Sequence, residues 1–438
     1  MAAVFVPDPR IQAVLFDLDN TLCSTDHLNQ VRLRGTREQL RPHLPRLCAY
    51  PGLDAVLAEL SRKLPLGVVS RAHSWYTEDV LTQIFPNVHW ATVVSYDDVV
   101  NQKPHPEGLL LAAERMGLAD RTAVAYLGDT KGDVEAAYHA SMRPVQCTWE
   151  AGPQKSYFAQ QIIPDAILDR PEHILAYVSD PVQFLPLLEA RLAKRDAPAG
   201  TRRVVTQLLG QGGPFVIYVL GRYFADAGPT LHLHGRHDLS RWIDRKNEPG
   251  QFQQPRFVQA VAEAIDAIAR ELRIGTVTVI PAKPGSHPRM EEMLAAVQQL
   301  MGPGNSGLRY APDLLAFSAD AQRIKHFTRA QRVAELERSL QLVKTAPGER
   351  ILVVDDVLTA GGTFKTARGR LLEHGAAYVA GLALTKTVSG ASFEADPTFR
   401  VCPLCGREVK LIRRRDGGRF RGCVGYWGEP KCYYTENA

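Results

Sequence analysis

The chain has 438 residues, 45% hydrophobic and 23% charged, which excludes a peptide module, a disordered segment and a fibrous repeat and, at roughly 100–200 residues per domain, predicts two to four domains. Its longest apolar runs, such as Phe215 to Leu220, fall far short of the roughly 18 residues of a membrane span, and the opening MAAVFVPDPR lacks a basic stretch followed by an apolar one; a cytoplasmic protein without a membrane partner is expected. The formal charge of +5 resides at the end, where nine basic and four acidic residues stand between Arg400 and Ala438, the pattern of a small polyanion-binding tail on neutral domains.

In chain order, AVLFDLD reads as a strand before a loop, DAVLAELSRKL as a helix, LGVVS and HWATVVS as strands, EGLLLAAERMG as a helix and AVAYLGD as a strand. Such alternation predicts a parallel sheet with helices on both faces, a first domain over residues 1–180. KRDAPAGT (194–201) mixes charge, Pro and Gly and reads as a linker. A second domain over 195–397 contains the strand PFVIYVLG, the half-exposed strand LHLHGRHD and the helix RFVQAVAEAIDAIARELR. The strand TVTVIPA, helices through MEEMLAAVQQLM and RAQRVAELERSLQLV, and the strand ILVVDD follow. Residues 398–438 are a cysteine-rich module. The fold class is α/β: two doubly wound parallel-sheet domains and a small C-terminal zinc-binding module.

VLFDLDNTL places Asp17 and Asp19 just after an apolar strand, with Thr21 two residues on. Side chains two apart on extended backbone point the same way, so both carboxylates can face one pocket at the strand's C-terminal end, where open α/β sheets bind ligands. One can attack phosphorus while the other moves a proton. Ser70 ends LGVVS, Lys103 sits in NQKPHPE, and Asp129 and Asp133 close AVAYLGDTKGD. This order resembles the four motifs of the haloacid dehalogenase-like (HAD) phosphatases, over residues 11–150. The resemblance implies that Asp17 is a nucleophile forming an aspartyl phosphate and Asp19 a general acid, then base. It implies further that Ser70 and Lys103 hold the phosphoryl oxygens. Magnesium would be bound by Asp17, Asp129 and the main-chain carbonyl of Asp19, with Asp133 in support. Fewer than thirty residues separate Thr21 from the helix beginning near Pro51, too few for a large helical cap, so an open site is expected. His73, Trp75 and Tyr76 either line that opening or begin an ordinary helix.

ILVVDDVLTAGGTF carries paired acids, then Thr359, Ala360, Gly361, Gly362 and Thr363 leading into a helix. Backbone amides of a Gly-rich turn before a helix seat an anion, and hydroxyls add donors. On a strand end the two acids would face opposite ways; in a turn both can reach the hydroxyls of a ribose phosphate. The segment resembles the phosphoribosyl-pyrophosphate (PRPP) motif of type I phosphoribosyltransferases, a likeness covering roughly 270–385. It implies that Asp355 and Asp356 contact the ribose hydroxyls and that residues 359–363 clasp the 5′-phosphate. TVTVIPAKPGSHPR would be the pyrophosphate loop, and Lys325 and Arg329, in KHFTRAQRVAEL, further pyrophosphate contacts.

CPLCG and GCVGYWGEPKC bring Cys402, Cys405, Cys423 and Cys432 into a spacing that suits a tetrahedral zinc site. Between and after these thiols stand Arg413, Arg414, Arg415, Arg419, Phe420, Arg421, Tyr426 and Trp427. Arginines suit phosphates and aromatics suit unstacked bases, as in single-strand binders. The tail resembles the C-terminal zinc finger of type IA topoisomerases, with a longer gap between its last two cysteines. A protein-docking knob is the alternative.

Together these readings predict a bifunctional enzyme with Mg2+, Zn2+ and PRPP as ligands. A magnesium-dependent phosphatase is joined to a phosphoribosyltransferase-like domain and tethered to single-stranded DNA or RNA. Its phosphorylated substrate is a nucleotide-like metabolite or a nucleic-acid end. The rivals are a nucleic-acid-bound nucleotide sensor and an end phosphatase whose middle domain is a scaffold.

Overall fold

The alternation of apolar runs and amphipathic stretches produces two large sheets in the computed structural model, one parallel throughout and one parallel except for a single strand. The structure describes residues 5–149, 162–193, 204–210, 213–226, 230–302, 307–322, 327, 329–388, 400–401, 408–413, 419–423 and 432–437. They divide into two units. One comprises Met1–Pro181 with Gly228–Thr230 and Ser389–Ala438, the other Val182–Ala227 and Leu231–Val388. None of the described helices is long and apolar enough to cross a membrane.

The first unit opens with β1 (Ala13–Phe16), the short helices α1 (Asn29–Arg34) and α2 (Arg37–Leu40), α3 (Leu53–Ser61), β2 (Leu66–Val69), α4 (Ser74–Ile84) and β3 (Trp90–Val94). It continues through α5 (Glu107–Arg115), β4 (Val124–Gly128), α6 (Lys131–His139), β5 (Arg143–Cys147), β6 (Ala166–Leu168) and α7 (His173–Ser179). Among the described residues the strands are ordered β3-β2-β1-β4-β5-β6, all parallel. Every residue of β1, β2 and β4 is buried, the run-on apolar pattern of a sheet covered on both faces. Leu109, Ala112 and Ala113 of α5 and Ala136 and Ala137 of α6 pack on Leu15, Val69 and Tyr126. The small alanines let these helices lie close to the strands. Because the sheet is parallel, the chain leaves each strand on one edge, and β1, β2 and β4 release their next residues there.

The second unit begins at Val182 and not near 195, because α8 (Leu187–Ala193) buries Leu187 and Leu188 in this unit's core. It continues with β7 (Val204–Gly210), β8 (Gly213–Val219), β9 (Arg222–Tyr223), α9 (Leu231–His234), α10 (Asp238–Asp244), α11 (Pro255–Leu272), β10 (Thr276–Val279), α12 (Arg289–Met301) and β11 (Arg309–Tyr310). Then come β12 (Leu315–Phe317), α13 (Arg329–Ser339), β13 (Leu340–Leu342), β14 (Arg350–Leu358), α14 (Gly362–Glu373) and β15 (Tyr378–Thr387). The main sheet runs β11-β10-β14-β15-β8-β7, with β9 also on β15; β7 pairs antiparallel to β8 and the other pairs are parallel. The longest helix among the described residues, α11, buries Phe257, Val261, Ile265 and Ile268 at helical spacing, each such side chain contributing about 1.5–3 kcal/mol of transfer free energy. Two expectations are corrected. LHLHGRHD is not a half-exposed strand but a helical turn, with His234 Nδ1 bonded to the Phe224 carbonyl at 2.7 Å. The helix expected through Val343 ends at Ser339, where β13 pairs with β12.

The C-terminal strands β16 (Arg400–Val401), β17 (Glu408–Arg413), β18 (Arg419–Cys423) and β19 (Thr435–Asn437) form an antiparallel sheet in that order.

Candidate active site

Asp17 follows β1 directly, and its backbone N–H donates to the Leu127 carbonyl at 2.8 Å. The chain then turns through Asn20 at φ 60°, a left-handed conformation that asparagine tolerates better than most residues. The Asn20 side chain fixes the turn, donating to Asp26 Oδ1 at 2.7 Å and accepting from the Thr25 N–H at 3.1 Å. Asp17 and Asp19 end up buried, 6% and 5% exposed. Thr21 Oγ1 is buried without a hydrogen-bond partner.

Lys103 ties the strand ends together. Its Nζ lies 2.5 Å from Asp17 Oδ1, 2.7 Å from Asp133 Oδ1, 2.6 Å from Tyr126 Oη and 3.0 Å from the Val69 carbonyl. Tyr126 Oη is in turn 3.0 Å from Asp133 Oδ1. Asp133 is set by the start of α6, where its Oδ2 accepts from the Thr130 N–H at 3.0 Å and from Thr130 Oγ1 at 2.5 Å. Gly128 is required here, since a Cβ at that position would stand 2.4 Å from Asp133 Cβ. Ser70, buried at the end of β2, accepts from the Ala72 N–H at 3.0 Å and lies 3.5 Å from Asp19 Oδ2. The structure thus brings together Asp17, Asp19, Ser70, Lys103, Asp129 and Asp133, all expected from the sequence.

Three further residues contact Asp19, of which Tyr76 was offered by the sequence as lining the opening, while Thr25 and Arg32 were not foreseen as parts of the site. Thr25 Oγ1 donates to Oδ1 at 2.7 Å, Tyr76 Oη donates to Oδ1 at 3.2 Å, and Arg32 Nη1 lies 3.0 Å from Oδ2. These residues, with Arg37 of α2 paired to Asp79 of α4 at 3.0 Å, fasten the short segment after Thr21 beside the strand ends that carry Asp17 and Ser70. The segment is small, and two of its arginines pair with Asp19 and Asp79. Tyr76 and Tyr126 had a readable signal, a polar tip on a residue otherwise suited to the core; Arg32, one of several arginines in VRLRGTRE, had none.

A metal is implied by the donor chemistry. Carboxylate oxygens of Asp17, Asp129 and Asp133 lie within 4.8 Å of one another, all buried. With Asp19, four carboxylates face two cations, Lys103 and Arg32, which leaves two formal negative charges. Burial pushes the Asp17 carboxyl up to about 8; Lys103 opposes this, and Asp133, Asp129 and Asp19 reinforce it. A divalent cation with hard oxygen ligands would relieve both imbalances, so the residues fit magnesium.

Residues 30–146 match the family model of haloacid dehalogenase-like hydrolases. The first unit contains a HAD-like hydrolase domain. The match begins after Asp17 and Asp19 and includes Ser70, Lys103, Asp129 and Asp133. The phosphoglycolate phosphatase of Escherichia coli (strain K12) is 36% identical over 101 residues, 23% of this chain and 40% of that protein. The pyrophosphatase PpaX of Oceanobacillus iheyensis is 28% identical over 144 residues, 32% of this chain and 65% of that protein. The chain therefore spans less than two thirds of the length of either relative. Among solved structures, a HAD-superfamily hydrolase of subfamily IA from Geobacter sulfurreducens aligns with a TM-score of 0.32 at 19% identity, covering 39% of this chain and 97% of that one.

In the second unit, Asp355 and Asp356 do not lie in a turn as expected. β14 continues through them to Leu358, held by parallel pairing with β15, Asp355 opposite Ala383 and Val357 opposite Thr385. The two acids consequently have different surroundings. Asp356 Oδ2 is 2.6 Å from Arg289 Nη2 and 3.0 Å from Lys246 Nζ, and although burial would raise this carboxyl, Lys246 and Arg289 hold it below its ordinary value. Asp355 lines a cavity of about 240 Å³ with Lys283, Ser286, Arg289, Phe317 and Thr363; burial, with Asp356 adding, pushes it well above its ordinary value. The turn proper comes later, at Thr359 and Ala360, and Gly361 at φ 77° leads into α14. Arg329 opens α13. Lys325 lies outside the described residues.

In the C-terminal sheet, Cys423 and Cys432 are buried together with Tyr434 packed against them. Arg413 pairs in register with Arg419, Leu411 with Arg421 and Ile412 with Phe420. Cys402, Cys405, Arg414, Arg415, Tyr426 and Trp427 lie outside the described residues.

Proposed function

We propose that the first unit is a magnesium-dependent phosphatase acting through an aspartyl phosphate on a small phosphorylated substrate, a class consistent with the names of its relatives. The observation that carries this reading is Asp17 held 2.5 Å from a buried lysine within a cluster with Asp129 and Asp133, to which Asp19 adds a further charge. Asp17 attacks phosphorus, the phosphorus–oxygen bond to the leaving group breaks, and Asp19 gives that oxygen a proton. Water then attacks the aspartyl phosphate, Asp19 takes a proton back, and inorganic phosphate leaves. Lys103 and Ser70 hold the phosphoryl oxygens. Asp17, Asp129 and the Asp19 carbonyl would hold magnesium, which when bound offsets the repulsion between an anionic nucleophile and an anionic phosphate. Tyr126 and Asp133 keep the lysine in place.

We further infer that the second unit binds a ribose phosphate of the PRPP class, with Asp355, Asp356 and residues 359–363 as contacts. The cavity beside Asp355, with Lys283, Arg289 and Thr363 in its wall, supports this. The paired burial of Cys423 and Cys432 beside a basic hairpin supports the zinc-stapled, single-strand-binding tail. Such a chain would join ribosyl-phosphate binding to phosphate removal. The test is a phosphate-release screen with magnesium, setting nucleotides, sugar phosphates and hydroxy-acid phosphates against phosphorylated oligonucleotides. Asp17→Asn serves as control, and PRPP titration of Asp356→Asn runs in parallel. Phosphate release undiminished in Asp17→Asn refutes the first reading, and undiminished PRPP binding in Asp356→Asn the second.

A further inference from the structure

Arg32 has no part in the chemistry above, yet it is built into the site. It lies on α1, with Nη1 3.0 Å from Asp19 Oδ2 and Nη2 2.8 Å from Asn29 Oδ1, while its Nε is buried with no hydrogen-bond partner. The other oxygen of Asp19, Oδ1, accepts from Thr25 Oγ1 at 2.7 Å and Tyr76 Oη at 3.2 Å. Oδ2 meets Arg32 at 3.0 Å and Ser70 Oγ more distantly, at 3.5 Å; it is therefore the oxygen left to hand a proton to a leaving group, and Arg32 covers it. A guanidinium presents its N–H donors as a planar fork suited to two-point contact with a carboxylate or phosphate, and a buried donor left unpaired is unfavourable. The contact with Asp19 thus leaves Arg32 incompletely satisfied. An anion that engages the fork, Nε included, can complete it.

Resting on the phosphatase reading, we propose that Arg32 recognises a second anionic group on the leaving-group side of the substrate, and that by moving to it uncovers Asp19 Oδ2. The substrate class is a small phosphate ester or anhydride bearing an additional carboxylate or phosphate. A neutral alcohol phosphate offers Arg32 no alternative to Asp19, so discrimination appears in kcat as well as in KM. Arg32 acts here as a specificity residue, and Asn29, on the same helix, orients it.

The experiment measures kcat and KM of the full chain with magnesium on 2-carboxyethyl phosphate, inorganic pyrophosphate and propyl phosphate, for the wild type, Arg32→Gln and Arg32→Lys. The wild type is expected to favour one of the two anionic substrates over propyl phosphate by about tenfold or more in kcat, the range of one charge-assisted contact. Which of the two is favoured identifies the anion as carboxylate or phosphate. Arg32→Gln is expected to shrink that ratio to about threefold or less and to raise kcat on propyl phosphate, with Arg32→Lys restoring part of the preference. Loss by a common factor on all three substrates, or an unchanged ratio, would overturn the inference while leaving the phosphatase reading intact. If none of the three is hydrolysed in a manner abolished by Asp17→Asn, the phosphatase reading falls, and the inference with it.

Discussion

Two buried carboxylates, Asp17 in the first unit and Glu189 in the second, are shifted in opposite directions. Burial would raise the Glu189 carboxyl, but Arg222 and then His237 hold it well below its ordinary value. Arg222 binds it through Nε at 2.9 Å and Nη2 at 2.5 Å, and the Arg222 backbone N–H adds a third contact at 2.8 Å. Asp17 has one cation at contact distance and three carboxylates around it, and moves up. The Glu189 arrangement is complete as it stands. The Asp17 cluster becomes complete only with further positive charge, which separates a structural ion pair from a cluster suited to holding a cation.

Substitutions sharpen this contrast. Asp17→Asn is expected to lower the kcat for phosphate release by about 10⁴-fold or more, as loss of a covalent nucleophile does. Lys103→Met is expected to cost about 10²–10³-fold in kcat, the range for removing one preorganised charge donor. In the second unit, Glu189→Gln leaves Arg222 buried without its carboxylate, and a loss of about 3–5 kcal/mol of unfolding free energy is expected in denaturant titration.

The pH dependences should also oppose each other. Glu189 has a folded-state pKa below its ordinary 4.5, so its contribution is in full force above that pH and is lost as pH falls below it. Asp17 has a folded-state pKa of about 8 against an ordinary 3.8, so between these values the folded state keeps a proton that the unfolded chain has released. Without a divalent cation, the first unit's stability should therefore fall as pH rises through that window. Magnesium should flatten the slope and, at a hundredfold excess over its Kd, add about 2.7 kcal/mol near neutral pH. Chemical denaturation across pH with and without magnesium checks both signs. A magnesium-independent slope would break the comparison.

The first site was legible in part because Asp17, Ser70 and Asp129 directly follow apolar strands, and a parallel sheet delivers strand ends to one edge. Lys103, nine residues beyond β3, and Asp133, inside α6, were singled out by the resemblance to the HAD motifs. Arg32 and Thr25 were not, since their approach to Asp19 depends on how the segment after Thr21 folds back, which no local period records. The second site shows the converse failure. Paired acids before a Gly-rich turn suggested a turn geometry, but pairing with β15 carried the strand through both of them and gave each its own surroundings. The unit boundary near Val182 was missed because burial of Leu187 and Leu188 is a tertiary event, whereas the charged, Pro-containing stretch after α8 looked like the natural break.

The most direct test of the central claim is to quench the magnesium-loaded protein during turnover and locate the acid-quenched phosphoryl group by peptide mass spectrometry after borohydride reduction, which converts an aspartyl phosphate to homoserine. The account expects homoserine at position 17 in the wild type and none in Asp17→Asn. Turnover with no modification at Asp17, or with phosphate carried by a different residue, would contradict it.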